Sequence, residues 1–272
     1  MEKHNTLPEL NVKTLIRLLL KGANNSYSKV SVKNIFRCTP PYFNNISSYK
    51  TQIQANEDRI PLTFYYTLAQ RAQLACMLDS SFPFRAAGMV QVENSIERYS
   101  DLNDKECIEI DNTYIAIEEN GRLYVDFETL INANKEPRIR CKSRYFIKRL
   151  KEGIKSTTAL QNVNLETLGQ WTIGEDAGRL YASVSGDWNP IHLWGWSAKL
   201  FGMKQPIIHG MQTVGNAESL IEKQYGLALK QIDSKFVRPI ALGEVAELQV
   251  DSLSLIFRVC VNKEVCVIGR YI

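Results

Sequence analysis

The sequence predicts an α+β fold duplicated along the chain, and three observations predict it. Apolar residues recur at helical spacing in two places, roughly residues 63–78 and 210–224. After each of these, the period drops to two and stays there through several segments. The two blocks of helix then strands each take about half of the 272 residues. That order suits helices set against an antiparallel meander.

The elements follow in order. Residues 7–21 place Leu10, Val12, Leu15, Ile16, Leu18, Leu19 and Leu20 on a short, imperfectly amphipathic helix, ended near Gly22 and Asn24-Asn25. Residues 39–60 hold Pro40-Pro41 and Asn44-Asn45 and read as loop. A helix spans about Thr63 to Leu78 through Tyr66, Leu68, Ala72, Leu74 and Met77, and Pro83 forbids its continuation. Met89–Glu93, Glu106–Glu118, Arg122–Thr129 and Arg138–Lys148 read as strands, with Asn120-Gly121 marking a hairpin. A linker near 152–166 and a loop-rich stretch precede the second helix, which Gly226 is placed to end. Strands are expected at 231–238, 244–250, 253–261 and 264–271. The division is therefore set at 1–155 and 156–272.

Composition narrows the classes. Lys plus Arg number 33 against 29 Asp plus Glu, a net charge of +4 that does not demand nucleic acid. No segment approaches the ~18 apolar residues of a membrane span. Leu15–Leu20 is short, carries Arg17 and lacks a secretory cleavage site. The six cysteines form no C-x-x-C pair and read as free thiols. The final Gly-Arg-Tyr-Ile is not a peroxisomal Ser-Lys-Leu address. A cytoplasmic protein is expected.

Chemistry concentrates in one region. Two of the three histidines, His192 and His209, lie within eighteen residues, and all four tryptophans fall within twenty-six. Gly186, Asn189 and Pro190 put Asp187 in a tight turn, five residues before His192. A carboxylate and an imidazole in one cleft can divide acid and base duties. Which is which stays open, because an exposed Asp titrates near ~3.9 unless an apolar wall desolvates it. Trp188, Trp194 and Trp196 are candidates for that wall. Gly210 stands where a helix begins, so its N–H is an unpaired first-turn donor that a substrate carbonyl can approach closely.

The run from Tyr181 through Ser-Gly-Asp187-Trp-Asn189-Pro190-Ile-His192 to Ala198 resembles the hydratase signature of the MaoC-like, (R)-specific enoyl-CoA hydratase family. Ile208-His209-Gly210-Met211 is similar to that family's second motif, and Phe236-Val-Arg238-Pro239 to Gly243 to the strand and turn after it. The resemblance covers about residues 170–272 and implies a tandem, double hotdog. In that arrangement each half is a long helix wrapped by a curved antiparallel sheet. The first half lacks Asp-x-Asn-Pro-x-His and resembles the degenerate half of such proteins, with Phe82-Pro83-Phe84 before Gly88. Its implied part is to shape the acyl pocket.

Further implications follow from the same resemblance. Asp187 and His192 hold a water that adds across a trans-2-enoyl thioester, Asn189 braces the loop or the water, and Gly210 N–H binds the thioester oxygen. His209 orders the helix start, while Ser183 and Ser185 are structural. No metal or redox cofactor is implied. The substrate arrives on coenzyme A or an acyl-carrier protein, and the chain is a monomeric pseudo-dimer or a homodimer. Two other readings are a hotdog thioesterase, which the intact Asp-x-Asn-Pro-x-His disfavours, and a catalytically idle acyl-CoA-binding protein.

One feature lies outside the motif. Arg138, Arg140, Lys142 and Arg144 line one strand face at period two, and residues 1–155 carry 23 basic and 18 acidic groups against 10 and 11 in the rest. The face is either a solvated sheet edge that discourages strand addition or a docking surface for coenzyme A phosphates or an acidic carrier protein.

Overall fold

The computed structural model of the chain describes residues 7, 14, 17, 18, 20–22, 32–39, 43–86, 88–103, 105–150 and 164–272. Helix then meander occurs twice, as the periodicity predicts. The elements are β1 (Val32–Cys38), α1 (Ile46–Ile53), α2 (Phe64–Leu78), β2 (Val90–Arg98), β3 (Ile108–Glu119), β4 (Arg122–Ala133) and β5 (Glu136–Arg149). Then come β6 (Glu166–Thr172), α3 (Ala177–Ser185), α4 (Gly195–Leu200), α5 (Gly210–Tyr225), β7 (Gln231–Phe236), β8 (Val245–Asp251), β9 (Ile256–Val261) and β10 (Glu264–Tyr271).

Contacts group the chain into two units, Met1–Tyr42 with Leu68–Asn162, and Phe43–Thr67 with Val163–Ile272. Residues 43–67 belong with the second unit, and the boundary falls inside α2.

In the first unit the strand order is β1-β3-β4-β5-β2, with every pair antiparallel. Asn120 and Gly121 both take positive φ, 49° and 70°, in the two-residue turn between paired Glu119 and Arg122. The helix meets its sheet partly through polar groups. Gln73 of α2 donates to Ser143 at 3.0 Å and accepts from Tyr145, while Cys76 accepts from Asn34 and Asn112 at 3.0 Å. Thr129 bridges to Asn112 at 2.6 Å. Around this paired layer Phe82, Tyr114 and Phe127 pack their rings.

In the second unit the order is β7-β10-β9-β8-β6, again antiparallel. Helix α5 ends at Gly226 in the left-handed conformation, and α1 is fastened to it. Ser219 and Lys223 both donate to the Gln54 carbonyl. Asn216, with its amide turned to satisfy both ends, donates to the Ile53 carbonyl and accepts from Trp171 Nε1, each at 3.2 Å. Buried Glu218 accepts from Leu62 N–H, from Thr63 N–H at 2.9 Å and from Thr63 Oγ at 2.5 Å.

Several expectations need correction. Residues 39–60 are not all loop, because α1 forms there: its apolar positions Tyr49 and Ile53, four apart, are buried in a cluster with Phe64, Tyr181 and Val184. Strand β1 lies where no strand was expected, and the loop-rich stretch before α5 contains β6, α3 and α4. Of the 7–21 helix, Thr14, Arg17, Leu18 and Leu20 are helical and Leu7 and Lys21 are not; the remaining residues of that span, and residues 152–163 of the linker, lie outside the described residues.

The basic strand is not an edge. β5 lies between β4 and β2, and its cations answer acids on β3 and β4. Arg140 pairs with Glu128 at 2.5 Å, and Arg144 pairs with Asp126 at 2.8 Å and Glu119 at 2.9 Å. Lys142 stands 4.0 Å from Glu128, and Arg138 donates to Ser100. The cross-strand register, with Asp126 opposite Arg144 and Glu128 opposite Lys142, produces this ladder. Among the described residues no helix is long and apolar enough to cross a membrane.

Candidate active site

Local chemistry shapes the loop that carries the acid. Helix α3 stops where Gly186 turns left-handed at φ 79°. Asp187 then accepts from Asn189 N–H at 3.2 Å, and the Asn189 side chain caps the following turn by accepting from Ile191 N–H. Pro190 opens that single 3-10 turn, Pro190–His192, where its missing N–H costs nothing. Ser197 at the start of α4 donates to the Pro190 carbonyl at 2.6 Å. Asn189 thus joins Asp187 to the 3-10 turn through its backbone and its side chain.

The turn is clasped to the strand-like residues before α5. Ile207 N–H donates to the Ile191 carbonyl, and His192 Nδ1 lies 2.8 Å from the Ile207 carbonyl. A carbonyl only accepts, so Nδ1 carries the proton and the lone pair of neutral His192 is on Nε2. Ile207 is itself bridged to Ala241. His209 Nε2 donates in the same way to the Asp187 backbone carbonyl at 2.8 Å.

A carboxylate oxygen of Asp187 and a ring nitrogen each of His192 and His209 lie within 4.8 Å of one another. The two imidazoles stack at 3.7 Å with 27° between their planes, and Tyr181 covers His209 at 4.9 Å. Burial lowers the His192 pKa, with Asp187 opposing. Burial, aided by His192, pushes His209 down to about 3. Both rings are neutral at pH 7.

Gly210 is the first residue of α5, so its N–H has no partner within the helix. A Cβ there would meet the Phe236 ring at 2.6 Å. Phe236, from the third motif, thus packs on the second. A Cβ on Gly178 would stand 2.0 Å from the His192 carbonyl oxygen, so α3 touches the loop's backbone there.

The structure brings together Asp187, His192 and His209, with Asn189 and Gly210 beside them in the chain. It does not assign Trp194 to the wall. Trp194 is 40% exposed and stacks on Trp196, itself 66% exposed. The apolar cover over the imidazoles is Tyr181, named in the sequence only as the start of a motif. Trp188 is half-buried in the loop. Gly178 and Ile207 also escaped the sequence reading. Gly178 left no local mark, because its constraint is a contact with residue 192.

Residues 156–265 match the MaoC like domain family. The chain is 26% identical over 198 residues to 3-hydroxyacyl-thioester dehydratase X of Mycobacterium tuberculosis, covering 71% of this chain and 70% of that one. It is 34% identical over 86 residues to the peroxisomal enoyl-CoA hydratase 2 of Arabidopsis thaliana, 29% of this chain and 28% of that one. The crystal structure of HtdX from Mycobacterium tuberculosis superposes with a TM-score of 0.73 at 22% identity, over 89% of this chain and 98% of that one. A conserved hypothetical protein of the same organism, described as a double hotdog, superposes at 0.63 with 7% identity, over 91% and 96%. The chain thus has the α+β double-hotdog fold, and it carries a MaoC-like domain over residues 156–265.

Proposed function

We propose that the protein is a hydro-lyase that adds water reversibly to trans-2-enoyl thioesters, giving (R)-3-hydroxyacyl thioesters. The observation that carries this reading is a neutral, buried His192 beside the Asp187 carboxylate, with the His192 Nδ1–H spent on Ile207 and Nε2 left as an acceptor. A water between them is held by two acceptors. One takes its proton as the oxygen attacks the β-carbon. That proton, directly or across the pair, is delivered to the α-carbon, so water is consumed and both groups return to their starting state. Between the two events negative charge gathers on the thioester oxygen, and the Gly210 N–H at the positive end of α5 is the donor we assign to it.

The relatives' names, a thioester dehydratase and an enoyl-CoA hydratase, support the substrate class. The unit of residues 68–150 carries no comparable acid and imidazole pair, so we assign one acyl thioester per chain. The carrier is coenzyme A or an acyl-carrier protein. All six cysteines are free thiols, which suits the cytoplasmic location we infer.

The test is direct. Purified protein is given trans-2-enoyl-CoA esters of graded length, with loss of the conjugated enone absorbance followed in time and the product resolved on a chiral column. Hydration to the (R) product is expected. Release of free thiol without hydration would replace this reading with the thioesterase.

A further inference from the structure

We propose that helix α1, far upstream of the motifs, is a working part of the site: Tyr49 positions Tyr181, which positions His209, which in turn holds the Asp187 loop. The inference rests on the hydro-lyase reading for its kinetic arm only. The chain of contacts lies wholly within the second unit. The Tyr49 ring is fully buried and lies 5.8 Å from Tyr181, with Ile53, Phe64 and Val184 filling the same cluster. Tyr181 is 4.9 Å from His209, and His209 Nε2–H reaches the Asp187 carbonyl at 2.8 Å.

The last link depends on dryness. His209 Nδ1 is buried with no hydrogen-bond partner, so its lone pair is unpartnered and kept away from water. Were His209 protonated, Nδ1 would gain a proton with no acceptor, and a cation would sit 3.7 Å from His192. That charge would weaken His192 as a proton acceptor. The groups that set its state are Asp187 on the loop, His192 on the 3-10 turn and Tyr181 on α3, with Tyr49 and Glu218 of α5 acting on Tyr181. Tyr49 is the member of this set contributed from outside residues 156–272, and the fastening of Gln54 by Ser219 and Lys223 keeps its helix in place.

Three full-length variants test it. Tyr49→Leu removes the ring and keeps apolar volume. Tyr49→Phe keeps the ring and removes only the hydroxyl, which lies near Thr63 and Tyr181. Ile53→Ala loosens the same cluster should Tyr49→Leu fail to fold. With only three histidines in the chain, imidazole NMR follows each one. His209 is expected to stay neutral, as the Nε2–H form, from pH 5 to 8 in the wild type and Tyr49→Phe, and to titrate inside that window in Tyr49→Leu and Ile53→Ala. In the hydration assay Tyr49→Leu should lose at least ~10-fold in kcat with KM within about twofold, because Tyr49 is too deep to touch substrate. Its activity should also fall away at a higher pH on the acid side. A His209 that remains silent in whichever of the two variants folds overturns the proposal. A wild type without hydratase activity but with the expected NMR behaviour would remove the function assigned above and leave this brace standing.

Discussion

Replacing Gly178 by alanine should injure turnover more than any change so small elsewhere in α3. The added Cβ would stand 2.0 Å from the His192 carbonyl oxygen, whereas real Cβ atoms essentially never come within 3.0 Å of a neighbour. One of the two must retreat by about 1 Å, as the same contact limits require. The helix is held by Tyr181 and Ala182, both buried in the core. The 3-10 turn hangs on a few hydrogen bonds, so the turn is the part that gives. A shift of that size in a reacting group costs on the order of 10²-fold in rate, while overpacking of this kind costs roughly 1–3 kcal/mol in stability. Gly178→Ala should therefore fold, melt several degrees early, and show a kcat reduced by about two orders of magnitude with KM changed far less. Initial rates below its melting transition, with Ser183→Ala as an exposed control on the same helix, make the measurement. Wild-type kcat in a folded Gly178→Ala would show that the His192 backbone does not need its present position, and the argument from close approach would fail.

Other expectations follow from the same geometry. Asp187→Asn and His192→Gln should each lower turnover by at least ~10²-fold, and the double variant should be little worse than either, as steady-state rates will show. Burial raises the Glu218 pKa to about 7 from its ordinary 4.5. The folded state therefore holds a proton that the unfolded chain releases, and this contribution to stability is lost as pH rises from about 4.5 to 7. Glu218→Gln should melt lower overall yet show a flatter dependence over that range in thermal scans. His192 and His209 act in the opposite sense: their pKa values are lowered in the folded state, so stability falls as pH drops below the ordinary histidine value of 6.5. Arg144→Ala breaks a half-exposed pair and should cost about 1 kcal/mol at low salt, less at high salt, with KM unchanged. A KM raised for a carrier-protein substrate would return the basic face to a docking role.

What the sequence alone determined is whatever rests on neighbours along the chain. The period-two runs located eight of the ten described strands, all but β1 and β6, because side chains alternate across a sheet whatever lies beyond it. Asn120-Gly121 located a hairpin because both residues tolerate positive φ. The short polar turn placed Asp187 near His192, since a five-residue span with Gly186, Asn189 and Pro190 cannot run straight. Contacts between distant residues were decided only in the tertiary structure. Helix α1 is eight residues long beside turn-forming asparagines, too short to stand on propensity. Burial of Tyr49 and Ile53 against α3 and α5 is what makes it a helix, and nothing in residues 39–60 announces those partners. Trp194 and Trp196 looked like a wall because tryptophan is usually buried, yet a six-residue helix left them facing water. Which nitrogen of each histidine holds its proton was set by two backbone carbonyls, Ile207 and Asp187. An imidazole's tautomer is chosen by what stands 2.8 Å away, and only the folded chain supplies that neighbour.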